Sequence, residues 1–315
     1  MKKFLRPGRK WTDIIPVAAV LSIVLLILGS IMSGLILNLF GLGDLVRRIC
    51  GSDDIAVFMS QYLGFIGIWG AMLLFIIMKG NRPMWKAFWY NRKGNTGRGL
   101  LFGILLGFGA NALCVLLSYL KGDIRLSFHG IDPVLVPAFF AAIFIQSGAE
   151  ELVDRLYLYQ KLRRRYRSPL VAIFVNSLIF MALHMANPGF TFLAGCQIAL
   201  IGVLFSLLVY YYDSLWAAIG FHAAWNYTQN ILFGLPNSGI VSAYSVFRLD
   251  AASARNGLFY NVGFGVEGSI GASLVLLLII AAIYYVNRGK EEKTDLWATE
   301  PSAAPAQNEN TVPEG

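Results

Sequence analysis

The sequence predicts an all-α polytopic membrane protein with about eight transmembrane helices, and three observations lead there. Hydrophobic residues make up 57% of the 315 positions and charged residues 14%, with a mean hydropathy of +0.60. A soluble domain must face water and has no use for that much apolar surface. The apolar residues also fall into runs of about 20, the length that crosses a hydrocarbon layer. Finally, the charges gather in short blocks between those runs.

In chain order the expected spans are Ile14–Phe40, Ile55–Met78, Gly99–Leu120, Leu135–Tyr159, Pro169–Met185, Phe190–Tyr212, Leu215–Phe233 and Gly268–Val286. The first follows a basic start, as a signal peptide does. Its apolar stretch is too long for that role, and no small-residue cleavage site closes it, so it reads as a retained helix. In the third span, Gly99, Gly103 and Gly107 recur at every fourth position, a stripe that lets a neighbouring helix approach closely. Tyr210, Tyr211, Tyr212 and Trp216 cluster where interfacial anchors belong. From Gly289 the chain turns polar and rich in Pro, Ala and Glu, the composition of a disordered tail. The expected division is therefore 1–134 for the first three spans, 135–234 for a helical core, 235–288 for an external loop and last helix, and 289–315 for the tail.

A net charge of +8 invites a nucleic-acid reading, but the placement of the charges excludes it. Basic residues crowd the N-terminus, the connection Lys79–Arg98, the connection Lys161–Arg167 and the segment after the last span, while the alternate connections hold few. That asymmetry predicts cytoplasmic termini in a multi-pass protein of a bacterial-type plasma membrane, with anionic lipid headgroups as partner. Cys50, Cys114 and Cys196 are odd in number and widely spaced, so neither a disulfide framework nor a Cys-based metal site is expected. His129 falls in an external connection and reads as solvated.

Ionisable side chains are costly in hydrocarbon and mark function or pairing. Here they concentrate in spans four to seven as Glu150, Glu151, Asp154, Arg155, His184 and His222, joined by Asn226. Glu150 precedes the basic turn by about 16 residues and His184 follows it by about 17, so both lie roughly 25 Å along an antiparallel pair. His222 and Asn226, measured from the Asp213–Ser214 turn, reach a comparable depth, which suggests a cavity reached from the cytoplasmic side. Glu151 and Arg155 have the i,i+4 spacing of an ion pair. Glu150, rotated about 100° from Glu151, is left to face that cavity. A carboxylate and histidine that activate water, with a second histidine and an amide as oxyanion donors, suit peptide hydrolysis.

The order EELVDR (Glu150–Arg155), FMALH (Phe180–His184) and HAAWN (His222–Asn226) resembles the CPBP family of intramembrane glutamic endopeptidases, which includes CAAX prenyl proteases and bacteriocin-processing or self-immunity proteins. Its pattern is EExxxR, FxxxH and HxxxN on successive helices, and the resemblance covers roughly Leu135–Gly234. It implies a catalytic core on helices four to seven acting on a membrane-associated peptide or protein, without a cofactor. It further implies Glu150 as general base, His184 as its partner on water, His222 and Asn226 as the oxyanion hole, and Glu151 and Arg155 as support. Asp154 and Leu156 depart from the family, which has an aromatic or apolar residue before the motif Arg and Gly after it. Two alternatives stay open. One is a zinc-dependent membrane peptidase using His184, His222 and a carboxylate, and the other is a non-catalytic immunity or regulatory protein.

Overall fold

A computed structural model describes residues 4–6, 10–89, 94–290 and 295–297. The chain forms α1 (Ile15–Leu39), α2 (Leu42–Cys50), α3 (Asp53–Leu63), α4 (Ile66–Ile77), α5 (Trp85–Phe88), α6 (Gly97–Leu120), α7 (Leu135–Glu151), α8 (Gln160–Arg165), α9 (Pro169–Leu183), α10 (Phe192–Tyr212), α11 (Leu215–Tyr227) and α12 (Ile270–Asn287). Leu152–Tyr159 is a π-helix that joins α7 to α8, and Thr228–Leu232 is a second one that extends α11. Among the described residues six helical stretches are long and apolar enough to cross a membrane: α1, α3 with α4, α6, α7 through α8, α10 and α12. The remaining two expected spans are shorter: α9 stops at Leu183, and α11 changes to π geometry after Tyr227.

Close backbone approach organises the bundle. In α6 a Cβ at Gly103 would meet the Ala217 carbonyl, and one at Gly107 would meet the Phe221 carbonyl. Both partners lie on α11, so the glycine stripe draws α6 and α11 together and fixes the helix that carries His222 and Asn226. The same device joins α1 to α4, where a Cβ at Gly67 would meet the backbone of Gly29 and Ser33. There the Ser33 hydroxyl accepts from the Gly67 amide at 2.8 Å, holding the helices by a polar contact where hydrocarbon gives no hydrophobic drive.

The rod from Leu135 to Arg165 has 31 residues and is about 45 Å long at ~1.5 Å per residue. It outruns the hydrocarbon layer, so α8 and its basic residues project from one end. Those residues are not left to solvent and lipid, as the sequence suggested. Asp13, fully buried, takes Arg164 Nε at 2.6 Å, and Lys161 Nζ lies 3.8 Å from it. Lys161 also donates to Asn81 at 3.1 Å. Asp295 pairs with Arg6 and lies 3.8 Å from Arg163, and the Arg164 guanidinium stands 4.8 Å from the Trp297 ring centre. Residues 295–297 of the expected disordered tail thus have a defined place against the basic end; 291–294 and 298–315 lie outside the described residues.

The opposite end carries one small departure from an all-α fold. Leu126–Phe128 pairs antiparallel with Phe247–Leu249 in the register Leu126↔Leu249. Each strand has three residues, too few for an alternating pattern to be read from sequence. The pair ties the connection after α6 to the long connection before α12. His129, just beyond it, is exposed. Cys50 and Cys114 are buried and Cys196 exposed, all free thiols.

Candidate active site

The last turn of α7 and the following π-helix set two carboxylates apart. Glu151 turns inward and pairs with Arg155 at 3.0 Å, both side chains fully buried. Glu150 keeps 17% of its side chain exposed and faces a cavity. The spacing expected for the ion pair is present, and Glu150 is turned to the cavity while Glu151 is turned to Arg155.

Arg155 is held from several sides. Its Nη2 donates to the Gly202 carbonyl at 3.2 Å, and its guanidinium lies 4.6 Å from the Phe180 ring centre and 5.0 Å from that of Phe205. Cation–π contact of this kind strengthens as water is removed. Gly202 can be reached because α9 and α10 are close: a Cβ there would stand 3.0 Å from Ser177. Asn176 on α9 donates to the Asp154 carbonyl at 2.7 Å. In a membrane, side chains of neighbouring helices must satisfy backbone groups freed where α-helical bonding is interrupted.

Glu151 does more than pair with Arg155. Its Oε1 also meets His222 Nδ1 at 2.9 Å, fixing the ring, which stacks on Phe205 at 5.3 Å and meets the edge of Phe180 at 6.0 Å. His222 Nε2 then stands 3.7 Å from Glu150 Oε2. Glu150 Oε1 accepts from Gln146 Nε2 one turn earlier. A carboxylate takes protons and does not give them when ionised, so the Glu151 contact assigns the Nδ1 proton to His222 and turns Nε2 toward Glu150.

His184 follows the last residue of α9. Its Nδ1 lies 2.8 Å from the Phe180 carbonyl, and a carbonyl can only accept, so the neutral ring carries its proton there and keeps a lone pair on Nε2. Asn226, one turn along α11 from His222, donates to Ser147 Oγ at 3.4 Å and accepts from Asn237 at 3.2 Å. Glu150, His184, His222 and Asn226 all line one cavity of about 360 Å³.

The cavity has walls that the sequence reading did not supply. Leu26 of α1, Tyr62 of α3 and Phe65 close it from the N-terminal helices, although the core was expected on helices four to seven alone. Asn187, Asn237, Ser238, Ile240 and Glu267 come from connections at the end away from the basic loops. α9 ends at Leu183, and the turn that follows it brings His184 and Asn187 into the cavity wall. Glu267 is the centre of that wall. It accepts from Trp225 Nε1 at 2.9 Å, Asn237 Nδ2 at 3.1 Å, the Ser238 amide at 2.6 Å and the Ser238 hydroxyl at 2.8 Å. Burial pushes its carboxyl above the ordinary range, and the bonds from Ser238 and Trp225 oppose that shift.

Asp154 also lines the cavity, as does Gln197 of α10. A sequence signal existed for some of these residues: Gln197 is an isolated amide in an apolar span, and Glu267 is the only acid between Asp250 and Glu291. Asn237 and Ser238 had none, lying in a polar connection among similar residues. Leu156 is packed in the core. Among the described residues no group of three His, Cys, Asp or Glu side chains is placed to hold a metal ion.

No curated protein and no solved structure matches the chain. Residues 132–228 match a family described as "Type II CAAX prenyl endopeptidase Rce1-like", a stretch that runs from the start of α7 into the second π-helix and holds all the motif residues. The chain is therefore an integral, multi-pass membrane protein in which residues 132–228 are similar to the CAAX prenyl endopeptidase family.

Proposed function

We propose that the protein is an intramembrane endopeptidase of the glutamic type, hydrolysing a peptide bond of a membrane-associated peptide or protein within the cavity. The observation that carries this reading is the assembly of Glu150, His184, His222 and Asn226 on one cavity wall, with His222 Nε2 3.7 Å from Glu150 Oε2. Glu150 takes a proton from water, and His184 accepts a hydrogen bond from the same water through Nε2. The hydroxide equivalent adds to the scissile carbonyl. Asn226 Nδ2 offers an amide donor to the resulting oxyanion. His222, held by Glu151 through Nδ1, turns Nε2 toward Glu150 and joins it as a donor when that nitrogen takes up the proton that Glu150 drew from water. When the intermediate collapses, the C–N bond breaks and the proton drawn from water goes to the leaving amine. Arg155 supports the site by holding Glu151, and Glu151 holds the His222 ring. No cofactor enters this scheme.

Glu150→Gln tests it. General-base catalysis is worth about 10²–10⁴-fold, so peptide termini that appear in cells expressing the wild type should vanish with the variant. The purified variant should elute and unfold as the wild type does. Undiminished processing by Glu150→Gln would remove the proposal, and stoichiometric zinc with chelator-sensitive activity would replace it by a metal mechanism.

A further inference from the structure

One carboxylate in the cavity has no task in that scheme. Asp154 is 2% exposed and lines the cavity, and its Oδ1 accepts no hydrogen bond among the described residues. Its neighbour Arg155 gives Nη1 to Glu151 and Nη2 to the Gly202 carbonyl, and its Nε meets no acceptor among the described residues, Asp154 included. The nearest basic block is engaged elsewhere, Lys161 with Asn81 and Arg164 with Asp13. Gln197 lines the same cavity and is 1% exposed, and its Nε2 donates to nothing among the described residues. Glu267 carries the third cavity carboxylate, but four donors already meet it. Among the described residues lining the cavity there is no Lys or Arg.

A buried carboxylate without a donor is costly, as is a buried amide N–H without an acceptor. Both costs are relieved together by a peptide that brings a cation to Asp154 and a backbone carbonyl to Gln197. We infer that Asp154 and Gln197 form a specificity subsite for a substrate segment carrying an ammonium or guanidinium group close to the scissile bond. This rests on the peptidase reading for its purpose, but the binding preference stands on the two unpartnered groups. Glu150 adds to the negative field, so an acidic substrate side chain is excluded by the same residues that attract a basic one.

The test uses the full-length protein in nanodiscs and internally quenched nonapeptides of Ala, Leu and Ser. A single Lys is walked through the positions of one series, and norleucine through a matched series. Both are made with acetylated and with free N-termini, which separates a side-chain cation from a terminal one. Removing one partner of a buried charge pair typically costs 2–5 kcal/mol, so at one position the Lys peptide should exceed its norleucine twin in kcat/KM by about thirtyfold or more. Asp154→Asn should collapse that ratio, Asp154→Glu should retain most of it, and Gln197→Leu should raise KM for both series. Binding of the same peptides to Glu150→Gln, read by fluorescence anisotropy, should still favour Lys over norleucine, by a smaller ratio and without turnover. Preferential binding with no cleavage by the wild type would keep the subsite and overturn the peptidase. Equal handling of Lys and norleucine at every position, or a ratio untouched by Asp154→Asn, would overturn the subsite.

Discussion

The rod from α7 to α8 buries charge at its basic end and again at its middle, and it does so in two different ways. At the basic end, Asp13 is enclosed by Arg164, Lys161 and the Thr12 hydroxyl, with bonds to both carboxylate oxygens. At the middle, where the rod lines the cavity, Glu151 Oε1 is met by Arg155 and His222, but Glu151 Oε2, Glu150 Oε2 and Asp154 Oδ1 accept no hydrogen bond among the described residues. Matched charges hold the fold. Unmatched ones are retained at a cost in stability, which is what a site that must receive water and substrate requires.

That contrast can be broken by substitution at either place. The largest effect on stability should come from Asp13→Ala, which leaves Arg164 buried and unopposed; losing one partner of such a pair costs about 3–5 kcal/mol. Thermal unfolding in detergent should show a marked fall in midpoint, with any lost activity following the lost fold. A midpoint like that of the wild type would mean that the basic end is only loosely attached. The next effect belongs to the cavity and should spare stability: Asn226→Ala should lower kcat by about 10²–10³-fold, the usual loss for an oxyanion donor. Measured at saturating peptide, a change confined to KM would instead make Asn226 a binding residue.

The smallest effect sharpens the comparison, because Glu267 is buried and fully bonded yet belongs to the cavity wall. Its folded carboxyl lies above the ordinary value of about 4.3, so between that value and its raised one the folded state holds the proton more firmly than the unfolded chain. Stability should therefore fall as pH rises through that interval and level off above it. Unfolding midpoints of wild type and Glu267→Gln across this range should differ in slope, with the variant flatter. Parallel curves would assign the pH dependence to other groups.

The sequence made the motif residues conspicuous because each is polar in an otherwise apolar run, and i,i+4 spacing alone separates Glu150 from Glu151. The glycine stripe of α6 was equally plain, although its partner helix was not. What stayed hidden depends on geometry without a compositional signature. Nothing in Leu152–Tyr159 announces i→i+5 bonding, and the π-helix is where Asp154 enters the cavity wall. Asn237 and Ser238 reach Glu267 through a connection with no periodicity to read. Tyr62 comes from a helix distant in sequence, and its hydroxyl donates to Asn230 at 3.1 Å. The internal acids that pair with the basic loops were visible as residues, but a charge-asymmetry rule counts charges without asking what they touch.

The shortness of α9 has a consequence for the bilayer itself. Its 15 residues extend about 22 Å at ~1.5 Å per residue, against roughly 30 Å of hydrocarbon. The deficit is a hydrophobic mismatch, relieved by local thinning or by polar chain drawn below the headgroups. The segment that follows holds His184 and Asn187, both on the cavity wall. Hydrolysis consumes water, which hydrocarbon scarcely dissolves. By ending early, α9 places its polar outgoing turn, with His184 and Asn187, on the wall of the cavity that Glu150 faces, at a depth that a longer helix would have filled with apolar side chains.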